Sequence, residues 1–198
     1  MQDPHLDMDM WFCGCYESAS RIKSMASDLG VIAILDDQFD EWMYYFKSNN
    51  IEYVELNHSN AMVTLSKDSP LASKKKIFAA DLKDYTYIAE KCSRMNDVSA
   101  KVHVLLDEIC PEARITVSNT YMMYTLAANS ESRSFVFEAF PPGKKTLDAF
   151  GLVSIPFEDV FSSHLGYIKP AERELSALSQ RYLELMYKEL CIPCPESK

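Results

Sequence analysis

The feature that most limits what this chain can fold into is a continuous apolar run at residues 31–35, Val-Ile-Ala-Ile-Leu, closed by two aspartates. Such a run is typical of a strand that is buried on both faces, as in a parallel sheet. A predicted strand at residues 8–13 and a predicted helix at residues 18–29 precede it, and Gly30 stands where a helix C-cap belongs. Strand, helix and buried strand form a βαβ unit, so the sequence predicts an α/β fold.

The same alternation continues along the chain. Residues 51–56 and 61–65 are predicted strands joined by the polar turn 57–60, and the polar segment 66–76 is a predicted connection between two lobes. Residues 39–46 fit a short helix or a loop equally well. The remaining predicted elements are strands at residues 85–89, 115–117, 134–140, 152–155 and 164–168, and helices from Asn96 or Asp97 to Cys110, at 121–128 and at 176–190.

The charge of the chain excludes a nucleic-acid-binding surface of its own. Lys and Arg number 20 against 29 Asp and Glu, a net charge of -9, whereas phosphate binding depends on clustered basic side chains. The five glycines lack the spacing of a nucleotide-binding loop. The apolar runs are far shorter than the ~20 residues of a membrane span, and the acidic N-terminus lacks the pattern of a signal peptide. We therefore expect a cytoplasmic protein that does not contact a membrane.

Several short motifs occur in an order that resembles one regulatory family. The motifs are LSKDSPLA at residues 65–72, IFAADL at 77–82 with the strand YTYI at 85–88, LVSIPF at 152–157, LGYIK at 165–169 and the closing helix at 175–190. Together they resemble the effector-binding domain of LysR-type transcriptional regulators, with Ser69 in place of that family's His. The resemblance extends over most of the chain from Leu6 onward.

The resemblance implies a fold and a set of partners. The fold is α/β, the two-lobed type II periplasmic-binding-protein-like fold, with each lobe a mostly parallel sheet flanked by helices. The first lobe would comprise residues 1–66 and 164–198, and the second lobe residues 67–163. The implied partners are a small-molecule effector and a second copy of the chain, a homodimer with the helix 18–29 at its interface. No winged helix-turn-helix is present, so DNA would be contacted only through a missing N-terminal domain, and no cofactor is expected.

The ends of the predicted strands supply the candidate ligand site, because open parallel sheets bind ligands outside the carboxyl ends of their strands. The candidate ligand-binding residues are Cys15, Tyr16, Ser18, Asp36, Glu90, Cys92, Ser118, Asn119 and Thr120. Residues 118–120 would cap a helix as readily as they would hold a carboxylate on its free N–H groups. The aspartate pair after residue 35 would also simply end a strand, and Tyr16 would either stack on a ligand or cover the sheet edge.

The sequence predicts neither a catalytic site nor a metal site. The four histidines, His5, His58, His103 and His164, show no HxxxH or HExxH spacing, and no GxSxG nucleophile motif occurs. The CxxC at residues 191–194 follows a helix instead of preceding one, which opposes a redox role. The alternatives to a regulatory domain are a stand-alone solute-binding protein of the same fold, an enzyme that reuses it, and a redox or metal protein based on the CxxC.

Overall fold

The computed structural model describes residues 8–11, 13–90, 100–129, 131, 133–138, 140, 142–158 and 162–189. Within them, helices and strands alternate for most of the chain. The elements are α1 Cys15–Lys23, β1 Gly30–Leu35, α2 Phe39–Ser48, β2 Ile51–Asn60, β3 Met62–Ser66, β4 Thr86–Glu90, α3 Ala100–Ile109, β5 Ala113–Val117, α4 Thr120–Ala127, β6 Ser134–Glu138, α5 Lys144–Phe150, β7 Leu152–Pro156, β8 Ser162–Pro170 and α6 Ala177–Glu189.

The strands form two sheets. In the three-stranded sheet, of order β1-β8-β2, the central strand β8 is antiparallel to both neighbours. In the five-stranded sheet, of order β5-β4-β6-β3-β7, the strands β5, β4 and β6 are parallel, and β3 is antiparallel to β6 and to β7. We call the three-stranded sheet with its helices the first lobe, and the five-stranded sheet with its helices the second lobe.

This topology agrees with the predicted α/β class but corrects the strand directions. The prediction that each lobe is a mostly parallel sheet is wrong for the first lobe, because β8 returns from the second lobe and inserts between β1 and β2. The run at residues 31–35 is a strand, as predicted, but it is not buried on both faces. Ile32 and Ile34 are buried, whereas Val31 and Ala33 are exposed. Such alternation is typical of a strand with one solvated face.

The crossover between the lobes lies earlier in the chain than predicted. Residues 57–60 are not a turn: β2 continues through them, because each of them pairs with β8. Only Ala61 separates β2 from β3. The strand β3 pairs with β6 and β7, so it belongs to the sheet of the second lobe, although the predicted boundary at residue 66 had placed it in the first.

The start of the chain also differs from the prediction. Residues 8–11 and 13 contain no strand, and α1 ends at Lys23 instead of residue 29, since Met25 adopts a left-handed backbone with φ 60°. Gly30 is not a helix cap but the first residue of β1. A Cβ atom there would lie 2.5 Å from the Ser18 hydroxyl, so glycine allows α1 to approach the sheet closely.

Apolar clusters hold helices against each sheet. In the first lobe, Ile22 of α1, Phe46 of α2 and Ile168 of β8 are fully buried together. The second lobe has a cluster on each face of its sheet, one containing Leu65 and one containing Ile88. Leu35, the last residue of β1, packs against the first of these clusters. The carboxyl end of β1 therefore meets the second lobe.

Candidate functional site

The carboxyl ends of three parallel strands in the second lobe carry polar side chains. Glu90 is the last residue of β4, Glu138 is the last residue of β6, and Thr120 begins α4 shortly after β5. The Thr120 hydroxyl donates a hydrogen bond of 2.9 Å to a Glu90 carboxylate oxygen. This edge is the one at which open parallel sheets bind ligands.

Glu138 is the centre of a hydrogen-bonded network at the same edge. The hydroxyls of Thr64 and Tyr124 both donate to its carboxylate, and the Thr64 and Ser154 hydroxyl oxygens are 2.6 Å apart. Burial raises the pKa of Glu138 above its ordinary value, although its two hydroxyl donors act to lower it. Burial and the neighbouring Glu138 carboxylate raise the pKa of Tyr124. The network thus keeps a partly buried carboxyl group satisfied next to the strand ends.

A second polar cluster lies at the end of the first lobe that meets the second. His58 of β2 and His164 of β8 each place Nε2 3.0 Å from the same oxygen of Asp36, which directly follows β1. The Ser162 hydroxyl donates to the other Asp36 oxygen. Burial raises the pKa of Asp36, but the hydrogen bonds from Ser162 and His58 and the charges of His58 and His164 outweigh it, so the pKa lies below its ordinary value.

Both clusters lie beside the crossover between the lobes. Met62, two residues after the end of β2, is directly opposite Glu138 in the pairing of β3 with β6. His58 and His164 are directly opposite each other in the pairing of β2 with β8. The two histidines are not among the predicted site residues, because they are far apart along the chain. His164 lies in a predicted strand, but His58 lies in the segment 57–60 that is predicted to be a turn, so the sequence pattern does not place the two together.

No protein-family model matches the sequence, and no curated protein matches it either. Solved structures are similar to it over most of its length. The C-terminal domain of a probable LysR family transcriptional regulator from Rhodococcus sp. RHA1 has a TM-score of 0.60 and 15% identity, covering 87% of this chain and 80% of that one. This chain has the fold of a LysR-type effector-binding domain. The two-lobed, periplasmic-binding-protein-like class predicted from the sequence is therefore confirmed.

Two other LysR-type structures of similar likeness contain small molecules. The effector-binding domain of QuiR in complex with shikimate has a TM-score of 0.58 and 15% identity, covering 88% of this chain and 77% of that one. The regulatory domain of Synechocystis PCC6803 CcmR in complex with 2-PG has a TM-score of 0.55 and 16% identity, covering 88% of this chain and 79% of that one. At this identity the likeness establishes the LysR-type fold.

The structure gives local roles to the predicted site residues around α4. The Asn119 side chain accepts a 2.9 Å hydrogen bond from the Met122 N–H, so Asn119 is the N-cap of the helix. The Ser118 hydroxyl lies 3.7 Å from the Met122 sulfur. Of the three residues in the predicted segment 118–120, Thr120 is the one that contacts another strand end, through Glu90.

The predicted site residues of α1 make contacts within the first lobe. The Cys15 thiol lies 3.2 Å from the Ala33 carbonyl oxygen, and the Tyr16 ring lies 6.1 Å from the Tyr45 ring. Ser18 packs against Gly30 where α1 approaches the sheet. Two further predicted features, Cys92 and the CxxC at residues 191–194, lie outside the described residues. Across the described part of the chain, no helix is long and apolar enough to cross a membrane.

Proposed function

We propose that this chain is the effector-sensing domain of a LysR-type transcriptional regulator. It binds a small molecule in the cleft between its lobes, acts in the cytoplasm and catalyses no reaction. The observation that carries the proposal is the polar edge of the second lobe, where Glu90, Thr120 and Glu138 lie at the strand ends beside the crossover. On a LysR-type fold, this edge is where a bound molecule would touch both lobes.

The chemistry of this edge favours an effector that donates hydrogen bonds. Glu90 and Glu138 are hydrogen-bond acceptors when ionised, so this edge presents two carboxylates. A bound carboxylate would meet like charges, which is costly in a partly buried site. A small amine or guanidine compound would instead form charge-assisted hydrogen bonds with these groups.

The two crossover strands would transmit the signal. Because β2 continues directly into β3 and β8 returns between β1 and β2, any change in the angle between the lobes acts on these strands. An effector that contacts both lobes would bind the closed arrangement more tightly than the open one. The difference between these two affinities sets how far it raises the closed population. The sensed ligand therefore shifts a population of lobe arrangements.

Each lobe has an exposed apolar surface, and the proposed partner of these surfaces is a second copy of the chain. Large hydrophobic side chains are exposed around α1 and β1 in the first lobe and around β5 and α4 in the second. They are Met10, Trp11, Met25 and Val31 in the first lobe, and Ile115, Tyr121, Met122 and Leu126 in the second. An antiparallel homodimer would cover the first set with the second. The net charge of -9 supports assigning DNA contact to a domain outside these 198 residues.

A ligand screen with one matched pair of variants tests the effector proposal. Thermal unfolding would be followed with small amines such as putrescine and agmatine, and with shikimate as the carboxylate probe. We expect an amine to raise the melting temperature of the wild-type protein, and Glu90→Gln to abolish that rise. Glu112→Gln changes an exposed carboxylate away from these strand ends and should keep the rise.

Three further measurements test parts of this proposal. Stabilisation by shikimate alone, unchanged in Glu90→Gln, would contradict the assignment of this edge. Mass spectrometry of the ligand after incubation would show chemical conversion if the protein were an enzyme. Sedimentation velocity tests the dimer, since a monomer at micromolar concentration would oppose it.

A further inference from the structure

Three metal-ligating side chains converge at the end of the first lobe that meets the second. One imidazole nitrogen of His58, one of His164 and a carboxylate oxygen of Asp36 lie within 4.8 Å of one another. Both imidazole nitrogens are 3.0 Å from the same Asp36 oxygen. Two imidazoles and one carboxylate form a ligand set that suits zinc and other divalent transition metals.

The strand pairing holds these groups in place. His58 and His164 are directly opposite each other on β2 and β8, so their rings lie parallel at a centroid distance of 4.2 Å and an interplanar angle of 7°. Asp36 directly follows β1, which lies on the opposite side of β8 from β2. The last residue of β1, Leu35, pairs with Ser163 of β8. The three ligands therefore come from three adjacent strands of one sheet, which is a rigid support.

A β-bulge in β2 brings a fourth group to the cluster. The pairing of β2 with β8 shifts by one residue between Glu55 and Asn57, which leaves Leu56 as the extra residue. In a regular strand, Glu55 and His58 would point to opposite faces because side chains alternate. The bulge changes this alternation, and both side chains reach His164.

The fourth group orients one of the histidines. A Glu55 carboxylate oxygen lies 2.6 Å from Nδ1 of His164, and the other nitrogen of that ring faces Asp36. A carboxylate that accepts the Nδ1–H fixes the tautomer that leaves Nε2 free to coordinate a metal. The Phe39 ring also stacks on the His164 ring, with a centroid distance of 3.9 Å.

We propose that Asp36, His58 and His164 bind a divalent transition-metal ion of the Zn²⁺ class, with Glu55 as the carboxylate that orients His164. Zinc bonds of about 2.0–2.2 Å in a tetrahedron place neighbouring ligand atoms about 3.3–3.6 Å apart. The two separations of 3.0 Å from the Asp36 oxygen would lengthen slightly, and the two histidine nitrogens, which lie within 4.8 Å of each other, would adjust to the same spacing. The His58 side chain is 48% exposed and that of Asp36 is 35% exposed, which leaves a coordination position for water. The metal site goes beyond the proposed function and does not depend on effector binding.

A bound ion would join the three strands of the first lobe at the crossover. Because the unfolded chain does not assemble these ligands, the ion would stabilise the folded state by mass action. The same cluster without metal would be a hydrogen-bonded network of two histidines and two carboxylates. The two arrangements differ in whether added zinc binds and stabilises the protein.

Titration calorimetry with zinc chloride on chelator-treated protein separates them. The chain of 198 residues would carry Cys191→Ser and Cys194→Ser, so that the CxxC thiols do not compete for zinc. We expect one zinc ion to bind per chain with micromolar or tighter affinity and to raise the melting temperature. His58→Gln should weaken binding at least about 100-fold. Glu55→Gln, which keeps all three ligands, should weaken it about 10–100-fold.

His103→Gln is the matched control, since it removes an exposed histidine of α3 and should leave zinc affinity unchanged. Circular dichroism and thermal unfolding without zinc show that each variant is folded. Asp36→Asn supplies a second ligand variant. The proposal is overturned if the background protein binds no zinc at micromolar concentrations. It is also overturned if His58→Gln and Asp36→Asn keep the background affinity, or if His103→Gln loses binding as strongly as they do.

Discussion

Gly166 of β8 lies directly beneath the ring of Tyr53 in β2. A Cβ atom added at Gly166 would lie 2.2 Å from Tyr53 Cε2 and 2.6 Å from its hydroxyl oxygen. The Tyr53 ring is in turn packed between Phe39 and Phe46, with ring centroids 5.8 Å and 6.0 Å away. The absence of a side chain at residue 166 is therefore what allows the aromatic cluster of the first lobe to lie against the sheet.

Gly166→Ala should destabilise the protein by about 1–3 kcal/mol, because the new methyl group must displace an aromatic ring that has little room to move. Urea unfolding would measure the change. Gly143→Ala is the control, since a Cβ atom there would meet no atom of the described residues within 4 Å, and its effect should stay within about 0.5 kcal/mol. Equal effects in the two variants would contradict the steric explanation.

Tyr53→Phe should stabilise the protein by about 1 kcal/mol, because the Tyr53 hydroxyl is buried and none of the described residues offers it a hydrogen-bond partner. Removing an unsatisfied buried group removes its desolvation cost. Tyr44→Phe removes the same hydroxyl from a side chain that is 75% exposed, so its stability should not change. A clear loss of stability in Tyr53→Phe would show that the hydroxyl has a bonding partner.

Asp81→Asn should destabilise the protein at neutral pH and less so in acid. Burial raises the pKa of Asp81, but the Lys74 ammonium at 2.5 Å and the Phe78 N–H at 3.2 Å outweigh it, so the pKa lies below its ordinary value. A lowered carboxyl pKa contributes stability above the unfolded pKa of about 3.9, and this contribution is lost as pH falls through the folded pKa.

The measurement is the difference in unfolding free energy between wild type and Asp81→Asn across this pH range. The difference should be constant above about pH 5 and should shrink below about pH 4. Asp84→Asn, which changes an exposed neighbouring carboxylate, provides the baseline. A difference that grows as the pH falls would have the wrong sign for this explanation.

Glu138→Gln should have the opposite pH dependence. Since burial raises the pKa of Glu138, the folded state holds its proton more tightly than the unfolded state does. The stability from this proton is fully present below the unfolded pKa of about 4.3 and is lost as pH rises through the folded pKa. The wild type should therefore lose stability relative to Glu138→Gln between about pH 4 and pH 7. Urea unfolding at both pH values, with Glu112→Gln as the control, checks the sign.

Local patterns predicted several of the helices and strands. The sequence offers residues 118–120 either as a helix cap or as a ligand site, and of these the Asn119 side chain caps α4. The predicted strands at residues 85–89 and 115–117 overlap β4 and β5, and the predicted helix at 176–190 overlaps α6. For the cap and for α6, the decisive hydrogen bond or apolar face lies within a few residues along the chain, whereas β4 and β5 are recognised from their composition although they pair with distant strands.

The errors occurred where distant partners decide the conformation. The Asn-His-Ser-Asn segment at residues 57–60 has the composition of a turn, but its backbone groups pair with residues 162–165 of β8, more than a hundred positions away. The helix from residue 144 to 150 was not predicted. It is only 7 residues long, and none of its residues is fully buried, so it lacks a clear apolar stripe. The helix after residue 18 ended early because Met25 takes a left-handed conformation.

The sequence by itself determined the α/β class, the acidic charge, and the presence of polar residues at the ends of the strands. Only the tertiary structure decided which of those residues meet. Asp36, His58 and His164 come together because β8 returns between β1 and β2, and Glu55 joins them because of a one-residue bulge. Hydrogen bonds and metal coordination act over a few ångströms, and strand pairing, not distance along the chain, sets which groups lie that close.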